Sequence, residues 1–548
     1  MKPIRHFLIL IFLMASFIIQ GQSQVKQFTH QDTLRGSITA ERAWWDVTFY
    51  GITVKPDFNT KTIEGSITIN FKTLAAGDVM QIDLQMPMEI GDVLWHNKKL
   101  PFKREENVYL ARFPARLKKG ATESIEISYS GKPREAVSPP WDGGWIWKKD
   151  RKGNPWMSVA CQGLGASVWY PCKDHQSDEP DSASLTMIVQ NDLVAVGNGR
   201  LQSKIINTDG TVAYKWKVIN PINNYDIVPY IGKYVNWTET FNGEKGPLDC
   251  SYWVLDYNLD SAREQFKQAP LMLKCFEHWF GPYPFYEDSY KLVEAPHLGM
   301  EHQSAVAYGN KFKNGYLGTD LSGTGWGLKW DFIIVHESGH EWFGNNITSK
   351  DLGDMWIHES FTNYSETLFV TCQYGKDAGD DYVIGTRKKI LNKLPIIAPY
   401  GVNDEGSGDM YYKGGNMIHT IRTIIDDDEL FRTILRGLNK TFYHQTVTAK
   451  QVENYISNQS KKDFSKVFDQ YLLHTGIPVF EYKMDGNKLS YRWTKCVLGF
   501  NMPLKIHLNT DRWISPTEQW RSVNNITQAE LSVDKNFYIE SRNVSGIN

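Results

Sequence analysis

One short run, Val335-His336-Glu337-Ser338-Gly339-His340-Glu341-Trp342, constrains this chain more than any other, because Glu359 follows the second histidine by nineteen residues in Trp356-Ile357-His358-Glu359-Ser360-Phe361. Two histidines four apart on a helix stand one above the other on one face, the geometry two imidazoles need to share a tetrahedral ion. Residues 328–343 read as that helix, with Phe332, His336, His340 and Phe343 on one stripe and Gly344-Asn345 as a stop signal. A second helix is expected to open after Asp354 as N-cap, to end at Gly375, and to carry Glu359 as third ligand. Three protein ligands leave a fourth position for water, which marks catalytic rather than structural zinc. Glu337, one place beyond a ligand, is the candidate general base. The competing reading is a chance match on a solvated surface helix. A glutamate at a set distance inside its own helix argues against it.

At 548 residues the chain is too long for one core and is expected to form about three domains. A net charge of -2 and the lack of any basic tract exclude a polyanion partner such as nucleic acid. Residues 1–24 read as a secretory signal: Lys2 and Arg5 precede the apolar run 7–19, and Gly21-Gln22-Ser23-Gln24 follows. That run is short for a membrane span, and no later one approaches about 18 residues. The expectation is therefore an exported protein, periplasmic or extracellular, with no stable membrane insertion after cleavage. An uncleaved anchor is the alternative. Six cysteines do not make a disulfide framework; Cys161 and Cys172 could pair, or the thiols could simply be buried and free.

The period of the pattern then divides the chain. Residues 25–235 alternate strand after strand, as in Trp45, Val47, Phe49 and Ile67, Ile69, Phe71, which predicts an all-β sandwich or saddle domain. Within it, Cys161-Gln162-Gly163-Leu164-Gly165 is small enough for close backbone approach to a ligand, or is only a turn. Residues 236–475 are read as a mostly α domain housing the site, with the period changing to about 3.6 around Leu259; 262–280 read as a helix interrupted near Pro270. Taken alone, Glu301 in the loop after 290–294 is best read as a solvated acid. Tyr411-Tyr412 before Gly414-Gly415 could be packing, or a hydroxyl donor to a developing oxyanion. Residues 476–548 return to period two, with a hairpin at Asp485-Gly486, and predict a small β-sandwich.

Taken together, His336-Glu337-x-x-His340 with Glu359 and Trp342-Phe343-Gly344-Asn345 resemble the gluzincin aminopeptidase family. The resemblance covers essentially the whole mature chain. It implies a multidomain α+β architecture: an N-terminal β domain, a thermolysin-like zinc catalytic domain and a small β-sandwich, without the family's usual helical C-terminal domain. A more open cavity would follow from that loss. It also implies one Zn2+ per chain, held by His336, His340 and Glu359, and peptide substrates with a free N-terminus.

Residue by residue, Glu301, with Gly299 and Met300, falls in the family's Gly-x-Met-Glu-Asn motif, implying contact with the substrate and with its α-amine. Gln162 looks like the family's other amine-contacting position. Tyr411 matches its Tyr-x-Lys-Gly motif, implying oxyanion stabilisation, and Glu366, seven past Glu359, looks like its acid behind the metal ligands. Leu298 and His302 depart from the Gly and Asn of the first motif, and His358 from the usual Asn before the ligand glutamate. The expected function is removal of N-terminal residues from peptides, with a zinc endopeptidase or a non-catalytic scaffold of the same fold as alternatives.

Overall fold

The structure, a computed structural model, describes residues 27–508, 510–524, 526 and 531–545. The expected signal segment lies outside these residues.

The N-terminal part is built on an eight-stranded sheet whose centre pairs Trp45–Asp57 antiparallel with Thr62–Thr73 and parallel with Ser182–Gln190. The long alternating runs seen in the sequence are these strands. Their inner face buries Trp45, Ile52, Ile67, Ile69 and Phe71. A four-stranded sheet (Val194–Val196, Tyr230–Gly232, Pro155–Ala160, Gly144–Lys149) and a three-stranded sheet of Gly77–Asp83, Val108–Leu117 and Phe102–Glu105 complete this part.

Tyr234–Gly243 opens a second, five-stranded sheet that continues through Gly246–Leu255, Tyr290–Glu294 and Val306–Tyr308 to the edge strand Gly299–Met300. Tyr290–Glu294, Val306–Tyr308 and Gly299–Met300 are buried on both faces, as strands covered on each side must be, whereas Tyr234–Gly243 is largely exposed. Tyr290 and Leu292 join the core under the helices, whereas Val293, Ala295 and Ala307 join the N-terminal core. The edge strand is thereby clamped between two packed layers.

The helices differ from expectation at their ends. The expected 262–280 helix is two, Leu259–Gln265 and Gln268–Phe280, and Pro270 sits in the first turn of the second, where a missing N–H costs nothing. The ligand helix is Phe332–Gly339, with His340 as its C-cap. It starts late because Asp331 caps it, accepting from the N–H groups of Ile333 and Ile334. Asp354 does not cap the next helix, Trp356–Tyr374. Its carboxylate is occupied by the Tyr400 hydroxyl at 2.8 Å and the Ala449 N–H at 2.9 Å.

Helix Asp409–Ile425 carries the double glycine within its second turn. A methyl group on Gly414 would collide with Ser360, and one on Gly415 with Asn363. Both glycines let this helix press against Trp356–Tyr374. Cys161 and Cys172 are free and buried, and the disulfide joins Cys275 to Cys372 instead. These two sit on helices Gln268–Phe280 and Trp356–Tyr374 with Cα atoms 6.1 Å apart, a proximity made by helix packing across 97 residues of sequence.

Residues beyond 476 form a four-stranded sheet (Arg521–Val523, Lys488–Thr494, Val479–Asp485, Glu540–Asn543) beside a three-stranded one. Phe480 and Trp493 share one apolar cluster with the helices. Among the described residues no helix is long and apolar enough to cross a membrane.

Candidate active site

The two histidines project from successive turns of the ligand helix toward Glu359, in the first turn of Trp356–Tyr374. His336 Nε2 lies 3.6 Å and His340 Nε2 3.5 Å from the same oxygen, Glu359 Oε2. That oxygen is buried without a hydrogen-bond partner. Ligand atoms about 2.0–2.2 Å from a tetrahedral ion stand roughly 3.4 Å apart, so the three fit a zinc-sized ion between them.

The outer nitrogens are fixed. His336 Nδ1 is 2.8 Å from Glu366 Oε1, and His340 Nδ1 is 3.0 Å from the Phe343 carbonyl. With an acceptor on each Nδ1, both rings turn Nε2 inward, the atom a metal ligand offers. Glu366 is held in turn by Asn363 at 3.0 Å and by the Tyr382 hydroxyl at 2.6 Å. Against the desolvation of burial, His340 and His336 hold the Glu359 carboxyl well below its ordinary range.

Glu337, His336, His340 and Glu359 line a cavity of about 500 Å³, within the range of small-ligand sites. Glu337 makes no hydrogen bond or ion pair among the described residues. Burial first, then the neighbouring Glu301 and Glu359, push its carboxyl up to about 7, against His336 and His340. Glu301, Gln162, Gly299, Met300 and Tyr411 line the same cavity. Glu301 is buried, not solvated; its Oε1 accepts from Tyr225 Oη at 3.0 Å, and burial raises its carboxyl. Gln162 Nε2 is 3.8 Å from Met355 Sδ, which sets the Gly-rich loop beside the Glu359 helix. The Tyr411 ring stacks 6.0 Å from that of His336, and burial, followed by the charges of Glu359, Glu405 and Glu301, keeps its hydroxyl protonated.

Of the departures from the family pattern, only Leu298 lines the cavity. His302 is buried beside Tyr230, with Nδ1 and Oη 2.5 Å apart. His358 accepts from the Ser349 N–H at 2.9 Å. Both histidines are held neutral by burial and serve packing.

Three residues at or behind the cavity carry no local signal in the sequence. Tyr225 lies some 76 residues from the acid it orients, a distance no local pattern spans. Lys389 and Glu405 sit in the loop-rich stretch before Asp409 and reach the cavity only through the fold.

Residues 265–471 match the family described as Peptidase family M1 domain. A leucyl aminopeptidase of Saccharolobus solfataricus is 21% identical over 72% of this chain and 49% of its own length. Leukotriene A-4 hydrolase of Xenopus laevis is 22% identical over 70% of this chain and 64% of its own length. The chain spans about half the length of the curated relatives it matches. Among solved structures, an M1 zinc metallopeptidase from Deinococcus radiodurans superposes with a TM-score of 0.69 at 18% identity, covering 82% of this chain and 98% of its own. A mutant of a metallopeptidase from that organism, bound to a Tyr-Ser-Ala substrate, superposes at 0.66 with 18% identity, covering 80% and 96%. At these identities the structural likeness concerns the fold, which is multidomain α+β as expected.

Proposed function

We propose that this chain, which carries a Peptidase family M1 domain in residues 265–471, is a zinc-dependent aminopeptidase that removes N-terminal residues from peptides. The observation that carries this reading is the buried carboxylate of Glu301 in the same cavity as the His336, His340 and Glu359 cluster. A fixed acid beside a hydrolytic centre selects a substrate with a positive charge next to its first peptide bond.

His336, His340 and Glu359 would hold the ion. When bound, zinc supplies Lewis acidity and brings the pKa of a water towards about 7. Glu337 takes the proton of the attacking water on its carboxylate and delivers it to the departing amine nitrogen. Tyr411 donates its hydroxyl hydrogen to the carbonyl oxygen as charge develops there. Glu301 accepts from the substrate ammonium, with Gln162 beside it, and the edge strand Gly299–Met300 presents its backbone to the peptide. Fixing the amine fixes the scissile bond as the first one.

Export to the periplasm or beyond is part of the proposal, supported by the charge and apolar pattern of residues 1–24 and by the disulfide Cys275–Cys372. The deciding experiment compares aminoacyl arylamides with their N-acetylated versions, with and without a chelator and zinc add-back. Chelator-sensitive cleavage of the free-amine series alone supports the reading. Equal cleavage of blocked substrates makes the protein an endopeptidase, and bound zinc without cleavage of either makes it a scaffold.

A further inference from the structure

We infer that Lys389 is a specificity residue on the leaving-group side of the cavity, where it receives a carboxylate carried by the substrate beyond the scissile bond. The inference rests on the orientation proposed above, with the substrate amine at Glu301.

The two ends of the cavity are distinguishable. Glu301 groups with Glu337 and His340, within 4.8 Å of one another, so the amine end lies on the His340 side. The other end is built on His336. Its ring stacks 5.0 Å from Phe332, which packs on Tyr316, and its Nδ1 is backed by Glu366 and through it by Tyr382. Tyr382 lies on helix Lys376–Thr386, and the Arg387–Lys389 turn continues directly from that helix. With the amine at Glu301, the departing portion is assigned to the His336 end, whose supporting helix leads into Lys389, a lining residue of the same cavity.

Charge makes the position selective. Glu301, Glu337, Glu359 and Glu405 line the cavity, and Lys389 is the one Lys or Arg among its described lining residues. Apart from the metal cluster, Lys389 is therefore the one cationic side chain in the described lining with which a substrate carboxylate can pair. Lys389 is exposed and enters no ion pair among the described residues, so its ammonium is available to a ligand.

The backbone beneath it is pinned on both sides. Two residues before, Arg387 donates to Asn416 Oδ1 at 2.7 Å and to the carbonyls of Lys535 and Asn536 at 2.8 and 3.1 Å. Two and three residues after, the N–H groups of Leu391 and Asn392 donate to Asp409 at 2.8 and 2.6 Å. A flexible side chain on a fixed stem loses less freedom on binding than one on a mobile loop.

The carboxylate has two sources, a nearby C-terminus or an acidic side chain, and the test separates them. Wild type, Lys389→Ala and Lys389→Glu are assayed on tripeptides as free acids and as C-terminal amides, and on longer amidated peptides differing only by Asp or Asn beyond the first bond. The ratio of kcat/KM for acid over amide is expected at about tenfold in wild type, the scale of a charge-assisted hydrogen bond, near one in Lys389→Ala and inverted in Lys389→Glu. A dependence confined to the tripeptides identifies the C-terminus, and one confined to the Asp and Asn pairs identifies the side chain.

The same ligand pairs are titrated calorimetrically into a Glu337→Gln background with and without Lys389, which needs no turnover. If no substrate is hydrolysed, the peptidase reading falls, while carboxylate-dependent affinity still decides the role of Lys389. Ratios and affinities indifferent to Lys389 overturn the inference.

Discussion

Asn345 donates its side-chain Nδ2 to the backbone oxygen of Glu301 at 2.9 Å. The residue just past the ligand helix thus holds the strand end that carries the amine-facing acid, and Glu341 braces the same turn through the Ser304 N–H at 2.8 Å. Asn345→Ala leaves a buried carbonyl without its donor, a loss of about 1–3 kcal/mol. Its expected outcome is a raised KM for free-amine substrates with zinc content unchanged. Loss of zinc in the purified variant, measured by metal analysis, would place Asn345 in the metal site instead.

Glu337→Gln removes the carboxylate assigned to carry the proton while leaving all three ligands in place. Turnover is expected to fall by about 10²- to 10⁴-fold, with zinc stoichiometry retained. A variant that keeps near-normal turnover excludes Glu337 as the proton carrier.

Tyr411→Phe deletes one hydroxyl from a ring that keeps its stack on His336. Because the hydroxyl acts on charge that exists only in the transition state, kcat should drop about 10²- to 10³-fold and KM little. The opposite split, a large KM change at constant kcat, would reassign Tyr411 to ground-state binding.

Glu366 touches the substrate cavity nowhere in this mechanism, yet it fixes the Nδ1 proton of His336. Glu366→Gln is expected to weaken zinc affinity by about 10- to 100-fold, read by competition with a graded chelator series. Unaltered affinity would mean that Asn363 and Tyr382 orient the histidine by packing alone.

Stability should carry a signature of buried neutral histidine. His419 lies between the Tyr364 hydroxyl on Nδ1 and Asn536 Oδ1 on Nε2, both at 3.0 Å, and burial pushes its pKa down from 6.5 to about 3. Above pH 6.5 neither the folded nor the unfolded chain protonates it, so its contribution is fully present. Below that, the unfolded chain binds a proton that the folded one refuses until about pH 3, and stability falls through this window. A plot of Tm against pH should have a shallower acid limb in His419→Gln than in wild type, and superimposable limbs would count against this account.

What could be read from the residues themselves was local. His336 and His340 share a helix, Glu359 opens the next one, and the periods of two and 3.6 located the β and α portions. Glu301 needed the resemblance, because nothing local distinguishes a buried loop acid from a solvated one. Tyr225 and Asn345 reach Glu301, and Lys389 reaches the cavity, by tertiary contact. Helix limits failed where side chains had other partners, as with Asp354, or where packing rather than turn chemistry required glycine, as at Gly414 and Gly415. The Cys275–Cys372 bridge was illegible for the same reason, being set by two helices whose packing no spacing predicts.

Arg387 reaches from the turn bordering the cleft to two carbonyls of the small C-terminal sandwich. Among its described residues that module contributes no reacting group, yet it is the abutment against which one wall of the cleft is braced. Because these acceptors are backbone carbonyls, a shift of the chain at residues 535–536, remote from any chemistry, moves that wall without altering a single catalytic side chain. The sandwich thus sets the shape of the cleft from outside it.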